Sequence, residues 1–138
     1  MQLFNAGLDQ FADWTTETFE WVLLTSGTFD PDLDTVAAVL TGADEVTVTG
    51  YARQAAATKV RSVDDTDDQI TYTAADPDFG TLDPGEDVTA IALIRVVTDD
   101  TDSVPVGWWE ISPAVATDAA DPLVFPLAGG IVAWTESA

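Results

Sequence analysis

The chain contains no cysteine and no histidine, and only four of its 138 residues are lysine or arginine. Without cysteine there is no disulfide framework, no thiolate nucleophile and no cysteine metal site. Without histidine the chain lacks the commonest general base and metal ligand, and a Ser-His-Asp triad is excluded. No apolar run approaches the roughly 20 residues of a membrane span. The opening MQLFNAGLDQF has no basic segment of the kind that begins a signal peptide. We therefore expect no membrane segment and no cleaved export signal.

Acidic residues dominate the charge. There are 25 Asp and Glu residues against four Lys and Arg, which gives a formal net charge of -21. In dilute buffer this charge repels itself and weakens the compact state, whereas at about 1 M salt the Debye length falls to about 3 Å. The composition is typical of a protein from a halophilic source. Because there is no basic patch to displace counter-ions from phosphates, we expect no nucleic-acid partner.

The pattern of short apolar segments predicts one domain over residues 1–138. A chain of this length buries about two-thirds of its unfolded surface, and 46% hydrophobic residues with five tryptophans supply a core. Loops rich in Gly, Pro and Asp separate the segments, which predicts an all-β protein with a jelly-roll-like antiparallel β-sandwich. Residues 2–12 predict a short N-terminal helix with one apolar side.

Individual elements follow from the same pattern. A short helix is predicted over Thr35–Leu40, capped by Asp32 or Asp34. Acidic loop tips are predicted at 64–68 and 99–102. The predicted strands are 18–25, a strand that begins at Glu45 with Val46 and Val48 apolar, 69–74, 88–98 as the central strand, 104–112, and a last hairpin of Leu123–Leu127 and Ile131–Thr135. Arg95 lies in phase with the apolar face of 88–98, so we expect it to have a carboxylate partner.

The stretch EVTVTGYARQAAATKVR, residues 45–61, holds three of the four basic residues: Arg53, Lys59 and Arg61. Gly50 interrupts the apolar alternation and indicates a bend or bulge. We interpret the three cations as counter-ions for acidic neighbours, either in the same subunit or in the next. They are therefore candidate subunit-contact residues.

Trp108 and Trp109 are adjacent on a predicted strand, so their rings point to opposite faces. One of them can lie in the core. For the other, two interpretations stay open: an exposed indole at a subunit contact, or an indole covered by a loop or by the N-terminal helix. Both tryptophans are therefore added to the candidate subunit-contact residues, while Trp14, Trp21 and Trp134 are assigned to the core.

No motif indicates catalysis, a cofactor or a metal. Asp30, Asp32 and Asp34 have the spacing that opens an EF-hand, but Thr35 and Thr41 occupy positions that require glycine and glutamate. A looser Ca²⁺ or Na⁺ site in the acidic loops is less favoured than solvated turns. Carboxylate pairs of the glycosidase type stay open in a chain this acidic, but none is singled out. We expect a protein without catalytic residues, cofactor or metal.

Several of these motifs, in this order, resemble small structural proteins of tailed bacteriophages and tailed archaeal viruses, which are encoded among head and tail genes. The sharpest match is EVTVTGYARQ, with Glu45, Gly50, Tyr51 and Arg53. The similarity extends over nearly the whole chain through the weaker motifs LFNAGLDQF, WVLLT, FDPDLDT, DDQITYTA, ALIRVVT and GGIVAWTES. The chain departs from these proteins in its scarcity of lysine and its acidic loops, which fits a haloarchaeal virus.

The resemblance implies a virion structural protein that is made in the host cytoplasm. The first interpretation is a capsid decoration or cement protein on the outer surface of the head, and the second is a head–tail, tail, baseplate or fibre component. The implied partners are the major capsid protein or neighbouring structural subunits, together with further copies of the chain, for example in a trimer. From another class, a free acidic module that binds a carbohydrate or a basic partner stays open.

Overall fold

A computed structural model describes residues 1–67, 69–126 and the backbone of 132–135, and it shows two antiparallel β-sheets that pack against each other. The elements are β1 (Gln2–Leu3), a 3-10 helix (Leu8–Asp13), β2 (Phe19–Leu24), α1 (Val36–Gly42), β3 (Gln54–Ala55), β4 (Val60–Asp64), β5 (Gln69–Thr73), β6 (Asp87–Arg95), β7 (Val104–Ala116) and β8 (Val132–Thr135). The larger sheet has the order β1-β7-β6-β2-β3 and the smaller one β4-β5-β8. The predicted all-β antiparallel sandwich is confirmed, with its strands divided five and three.

The larger sheet is covered on both faces, and this explains the long apolar run of β6. Ile91 and Leu93 point towards the smaller sheet, and Ala92 and Ile94 point the opposite way. β6 lies between β2 and β7 and pairs with β2 from Arg95 to Ala90 without interruption. The prediction that this segment is the central strand is therefore confirmed for the larger sheet.

Two apolar clusters lie on the two faces of this sheet. The cluster between the sheets is built around aromatic rings; its largest buried members include Phe11, Trp14, Phe19, Trp21 and Tyr72. The cluster on the opposite face is closed by Val36 and Val39 of α1, which pack over Val22 and Leu24 of β2. The prediction that Trp14 and Trp21 belong to the core is confirmed, since they are 1% and 0% exposed. The side chain of Trp134 lies outside the described residues.

The N-terminal helix differs from the prediction. Residues 2–3 form β1 along β7, and only Leu8–Asp13 are helical, as a 3-10 turn. The physical reason is the contact at Gly7, where an added Cβ would lie 2.6 Å from the Cα of Val106. The chain must cross the backbone of β7 at this point, which leaves no room for a continuous α-helix, and Leu8 of the predicted apolar side is 41% exposed.

The segment after Glu45 is not a strand, contrary to the prediction. Val46 is buried as expected, but Thr47 and Val48 donate their N–H groups to the Glu86 carboxylate, at 2.7 and 3.3 Å, and not to a neighbouring strand. The bend at Gly50 is confirmed, because its φ of 91° is one that favours glycine.

Two further details correct the sequence interpretation. The cap of α1 is Thr35, whose Oγ1 accepts from the N–H of Ala38 at 3.2 Å, so neither Asp32 nor Asp34 has this role. The turn of the predicted last hairpin, residues 127–131, lies outside the described residues. β8 pairs with β5, and Val124 bridges to Asp78, so the described parts of the hairpin contact other segments and not each other.

Candidate functional site

Arg53, in the 45–61 stretch, is held between two carboxylates. Its Nε and Nη2 donate to Glu45 at 2.8 and 2.6 Å, and its Nη1 and Nη2 donate to Asp100 at 2.6 and 2.9 Å. Both contacts use the planar fork that guanidinium offers to carboxylates. These hydrogen bonds, first to Glu45 and then to Asp100, raise the pKa of Arg53. The guanidinium bridges the two carboxylates, and we call these three side chains the Arg53 clamp.

The Arg53 clamp connects three parts of the fold. The carbonyl of Asp100 accepts from the N–H of Ala37 at 2.8 Å, so the loop that Arg53 holds also caps the first turn of α1. On the other side, Glu45 accepts from the hydroxyl of Tyr51 at 2.9 Å. The predicted role of Arg53 as a counter-ion is therefore observed within the subunit. Its partner Asp100 was not foreseen, because it lies 47 residues along the chain.

The Tyr51 hydroxyl takes up a backbone hydrogen bond of β2 beyond the two residues that pair with β3. Its hydroxyl accepts from the N–H of Leu23 at 3.1 Å, while the carbonyl of Leu23 accepts from Val46. Burial raises the pKa of the Tyr51 hydroxyl, and the neighbouring Glu45 charge acts in the same direction. The hydroxyl therefore stays protonated and serves as a structural hydrogen-bonding group. The short motif Gly50-Tyr51-Ala52-Arg53 thus stabilises the fold through the contacts of Tyr51 and Arg53.

Lys59 is also engaged within the subunit. Its ammonium group donates to the carbonyl of Glu17 and lies over the rings of Phe19 and Trp14, at 5.0 and 5.7 Å from their centroids. Burial lowers the pKa of Lys59, and the Glu17 charge opposes that change. A cation in this position closes the open end of the aromatic cluster.

Arg61 differs from the other two cations of the stretch. It lies on β4, whose five residues are all exposed, and its side chain has no hydrogen bond or ion pair within the described part of the chain. Arg61 lies opposite Tyr72 of β5, and directly opposed residues point to the same face of a sheet. Because Tyr72 points into the cluster between the sheets, Arg61 also lies on that face, on the edge strand. Of the candidate contact residues, Arg61 is the one whose charge remains open to a partner.

Trp108 and Trp109 point to opposite faces, as predicted, and both pack inside the subunit. Trp108 is 4% exposed and lies against Phe29, with ring centroids 6.4 Å apart. Trp109 is half-buried and packs against Trp21 at 5.3 Å. The interpretation of a covered indole therefore describes Trp108, which is covered by the segment around Phe29, and Trp109 keeps a partly exposed ring.

Arg95 has the carboxylate partner that its place on β6 requires. Its Nη2 lies 3.2 Å from the Glu17 carboxylate, and its Nη1 donates to Gln10 at 2.6 Å. The prediction of a paired Arg95 is confirmed. Glu17 therefore lies beside two cations, since its carboxylate contacts Arg95 and its carbonyl accepts from Lys59.

The aspartates of the loops have a local structural role that sequence reasoning missed. In five loops an Asp carboxylate accepts the N–H of the residue two positions later; these aspartates are Asp30, Asp64, Asp78, Asp99 and Asp118. This is the Asx-turn, and it requires the short side chain of aspartate. Hydrogen bonds from Thr101 lower the pKa of Asp99. The described residues contain no group of three or more acidic side chains arranged to hold a metal ion.

A cleft of about 350 Å³ opens beside Trp108 on the surface of the larger sheet. It is lined by Gln2, Phe29, Thr89, Glu110 and Ser112, among others. An aromatic ring beside convergent polar groups is the usual lining of a small-ligand site. If the chain is a binding module, this cleft is the candidate site for its ligand.

Comparisons with known proteins give no relative: no family model, no curated protein and no solved structure matches the chain. Within the described residues, no helix has the length and apolar character to cross a membrane.

Proposed function

We propose that this protein is a non-enzymatic virion structural protein of a tailed virus with a halophilic host, and that it is a decoration protein on the outer surface of the capsid. The observation that supports the proposal is that three of the four basic residues are engaged inside the subunit. Arg53, Lys59 and Arg95 stabilise the fold internally, and the surface charge that they leave is acidic except for Arg61. Such a surface stays hydrated in brine and has no feature that attracts nucleic acid.

The architecture also supports this role. Asx-turns order five of the loops, and the Arg53 clamp ties α1 to the larger sheet in a chain that has no cysteine for a disulfide. Decoration proteins act through contacts with the shell and with each other, so a stable fold and a self-contact suffice. Closed symmetric oligomers are the expected form of such contacts.

The test is the copy number of the protein in purified particles of the virus that encodes it, measured by quantitative mass spectrometry. A decoration protein is present in numbers comparable with the major capsid protein, and it is released intact when the outer surface is stripped. A few copies per particle would assign it to the head–tail junction, tail, baseplate or fibre instead. Absence from the particle would refute a virion role of either kind.

A second candidate, a free acidic binding module, is favoured by the cleft beside Trp108. The cleft combines the ring of Phe29 with Glu110 and Thr89, which suits a small polar ligand such as a carbohydrate. This function requires a ligand that binds the isolated chain. A glycan array probed at molar salt distinguishes the two: specific binding that is lost in Glu110→Ala supports the module, and the decoration role expects none.

A further inference from the structure

We infer that β4 is a self-association strand, which pairs with β4 of a second copy of this chain across a two-fold axis. The contact extends the smaller sheet through two subunits, in the order β8-β5-β4-β4-β5-β8. This inference stands on the geometry of β4 and does not depend on a virion role. It specifies a surface, a partner and a register.

β4 is an edge strand of the smaller sheet, whose other edge strand is β8. An edge strand presents unpaired N–H and C=O groups, and proteins protect such edges with very short strands, proline or bulges. In the larger sheet these protections are present: the edge strands β1 and β3 have two residues each, and β7 carries Pro113 beyond the part that β1 covers. β4 has five residues, all exposed, and no proline.

The side chains of β4 are also suited to contact. Val60 and Val63 are 49% and 50% exposed, and they point to opposite faces of the sheet. The pairing of Val63 with Ile70 places Val63 on the inner face of the sheet, at its rim. A second β4 would cover this rim and remove apolar area from water.

The charges of the hairpin determine the direction of the pairing. Arg61 lies near the start of β4, and the acidic residues Asp64, Asp65 and Asp67 lie at its end and in the turn that follows. An antiparallel partner brings the basic start of one strand to the acidic end of the other, whereas a parallel partner aligns like charges. Charge complementarity therefore selects the antiparallel, two-fold arrangement.

The two-fold axis also limits the register. In an antiparallel pair, the backbone N–H and C=O groups of alternate residues point towards the partner strand, and each such residue faces another of the same kind. When the two strands are copies of one sequence related by a two-fold axis, one residue must therefore lie directly opposite itself. With Val63 on the axis, Arg61 lies opposite Asp65 of the second copy, which is the first residue beyond β4 in the turn towards β5. Asp65 is exposed and, like Arg61, has no hydrogen bond or ion pair within the described part of the chain. The neighbouring Asp64 is already engaged, since it accepts from the N–H of Thr66 at 2.9 Å.

A charged residue on the inner face of an edge strand can instead be a protection against pairing. These two roles of Arg61 predict opposite effects of its removal on self-association. If Arg61 protects the edge, its removal increases association. If Arg61 pairs with Asp65 of the second copy, its removal decreases association.

The experiment measures the mass in solution of the full-length protein, by size-exclusion chromatography with light scattering at about 1 M KCl, where repulsion between subunits is screened. Four proteins are compared: wild type, Arg61→Asp, Asp65→Arg and the double variant with both changes. Asp34→Arg is the matched control, because it makes the same change in charge as Asp65→Arg at an exposed position next to α1, beyond the larger sheet. Circular dichroism confirms that each variant is folded.

We expect wild type and Asp34→Arg to have the mass of two 14.6 kDa chains. Each single variant should raise the dissociation constant at least tenfold, because it places two like charges opposite each other. The double variant should restore the dimer, since it rebuilds each pair with its signs exchanged. A monomeric or trimeric wild type, a dimer unaffected by Arg61→Asp, stronger association of Arg61→Asp, or a double variant no better than the single ones would each overturn the inference.

Discussion

The two sheets of this protein differ in how their residues are used. The larger sheet is buried on both faces, by the smaller sheet on one side and by α1 on the other, and its edge strands β1 and β3 are only two residues long. The smaller sheet ends in β4, where every residue is exposed. We infer from this burial that β2 and β6 contribute most to folding stability and that β4 contributes little. A strand that contributes little to the fold is free to serve a contact.

The two arginines of the 45–61 stretch show the same division. Arg53 makes four hydrogen bonds to Glu45 and Asp100, while Arg61, on β4, makes none within the described residues. In a chain with a charge of -21, each cation is scarce. One that is left unpaired at an edge strand therefore marks a surface where an acidic group from another subunit fits.

The largest expected effect tests the contrast between β6 and β4. Leu93→Ala on β6 removes a side chain that is 0% exposed, and it should lower the free energy of unfolding by about 2–5 kcal/mol. Val63→Ala on β4, where the side chain is 50% exposed, should lower it by less than about 0.5 kcal/mol. Urea denaturation at molar salt, with protein dilute enough to be monomeric, measures both. Equal losses would break the comparison.

The next effect compares the two arginines. Arg53→Met leaves Glu45 and Asp100 side by side without their counter-ion, and we expect a loss of about 2 kcal/mol, below the range for a fully buried pair because these side chains are 21% to 36% exposed. Arg61→Met is the matched control and should change the free energy of unfolding by less than about 0.5 kcal/mol. The same urea series checks this. A smaller loss for Arg53→Met than for Arg61→Met would show that the clamp is not structural.

Tyr51→Phe tests the hydroxyl that closes the edge of β2. The substitution keeps the ring stacked on Phe79 but leaves the N–H of Leu23 without its acceptor. We expect a loss of about 1–2 kcal/mol from that unsatisfied donor. Phe125→Leu, away from this hydrogen bond, is a control for disturbance of the ring cluster around Phe79. An unchanged melting temperature in Tyr51→Phe would mean that water replaces the hydroxyl.

The smallest effect concerns Glu86, whose pKa is lowered from 4.5, first by the hydrogen bond from the N–H of Thr47. A lowered pKa in the folded state adds stability above the unfolded pKa, and this stability is lost as the pH falls through the folded value. Because Glu86 is solvated, we expect Glu86→Gln to cost about 0.5–1 kcal/mol at pH 7. The difference from wild type should shrink as the pH falls below 4.5 in thermal melts. A difference that is constant with pH would exclude this carboxylate as the source.

Much of the fold was predictable from the sequence, since β2, β5, β6 and β7 follow from apolar runs bounded by Gly, Pro and Asp. The carboxylate partner of Arg95 was predictable because a charge in phase with Ile91 and Leu93 requires one. The segment after Glu45 was not predictable, because its donors are satisfied by Glu86, a side chain distant in sequence. The β-strand at residues 2–3 was hidden for a similar reason: the close contact of Gly7 with Val106 is tertiary and has no local signal.

The candidate site was only partly accessible to the same reasoning. The sequence singled out Arg53, Lys59 and Arg61 as a group, because basic residues are so rare. It could not separate the internal cations from the free one, since that depends on which carboxylates the fold brings near, such as Asp100. The exposure of β4 follows from strand order, which a single sequence does not specify.

The most direct test of this account is native-state hydrogen exchange at about 1 M KCl, comparing wild type with Asp65→Arg. In both proteins the amides of β6 should exchange only through global unfolding. The amides of β4 should exchange at least tenfold more slowly in wild type, because the second copy covers them there and not in the variant. Identical β4 exchange in the two proteins would contradict the claim that this edge is a contact between copies of the chain.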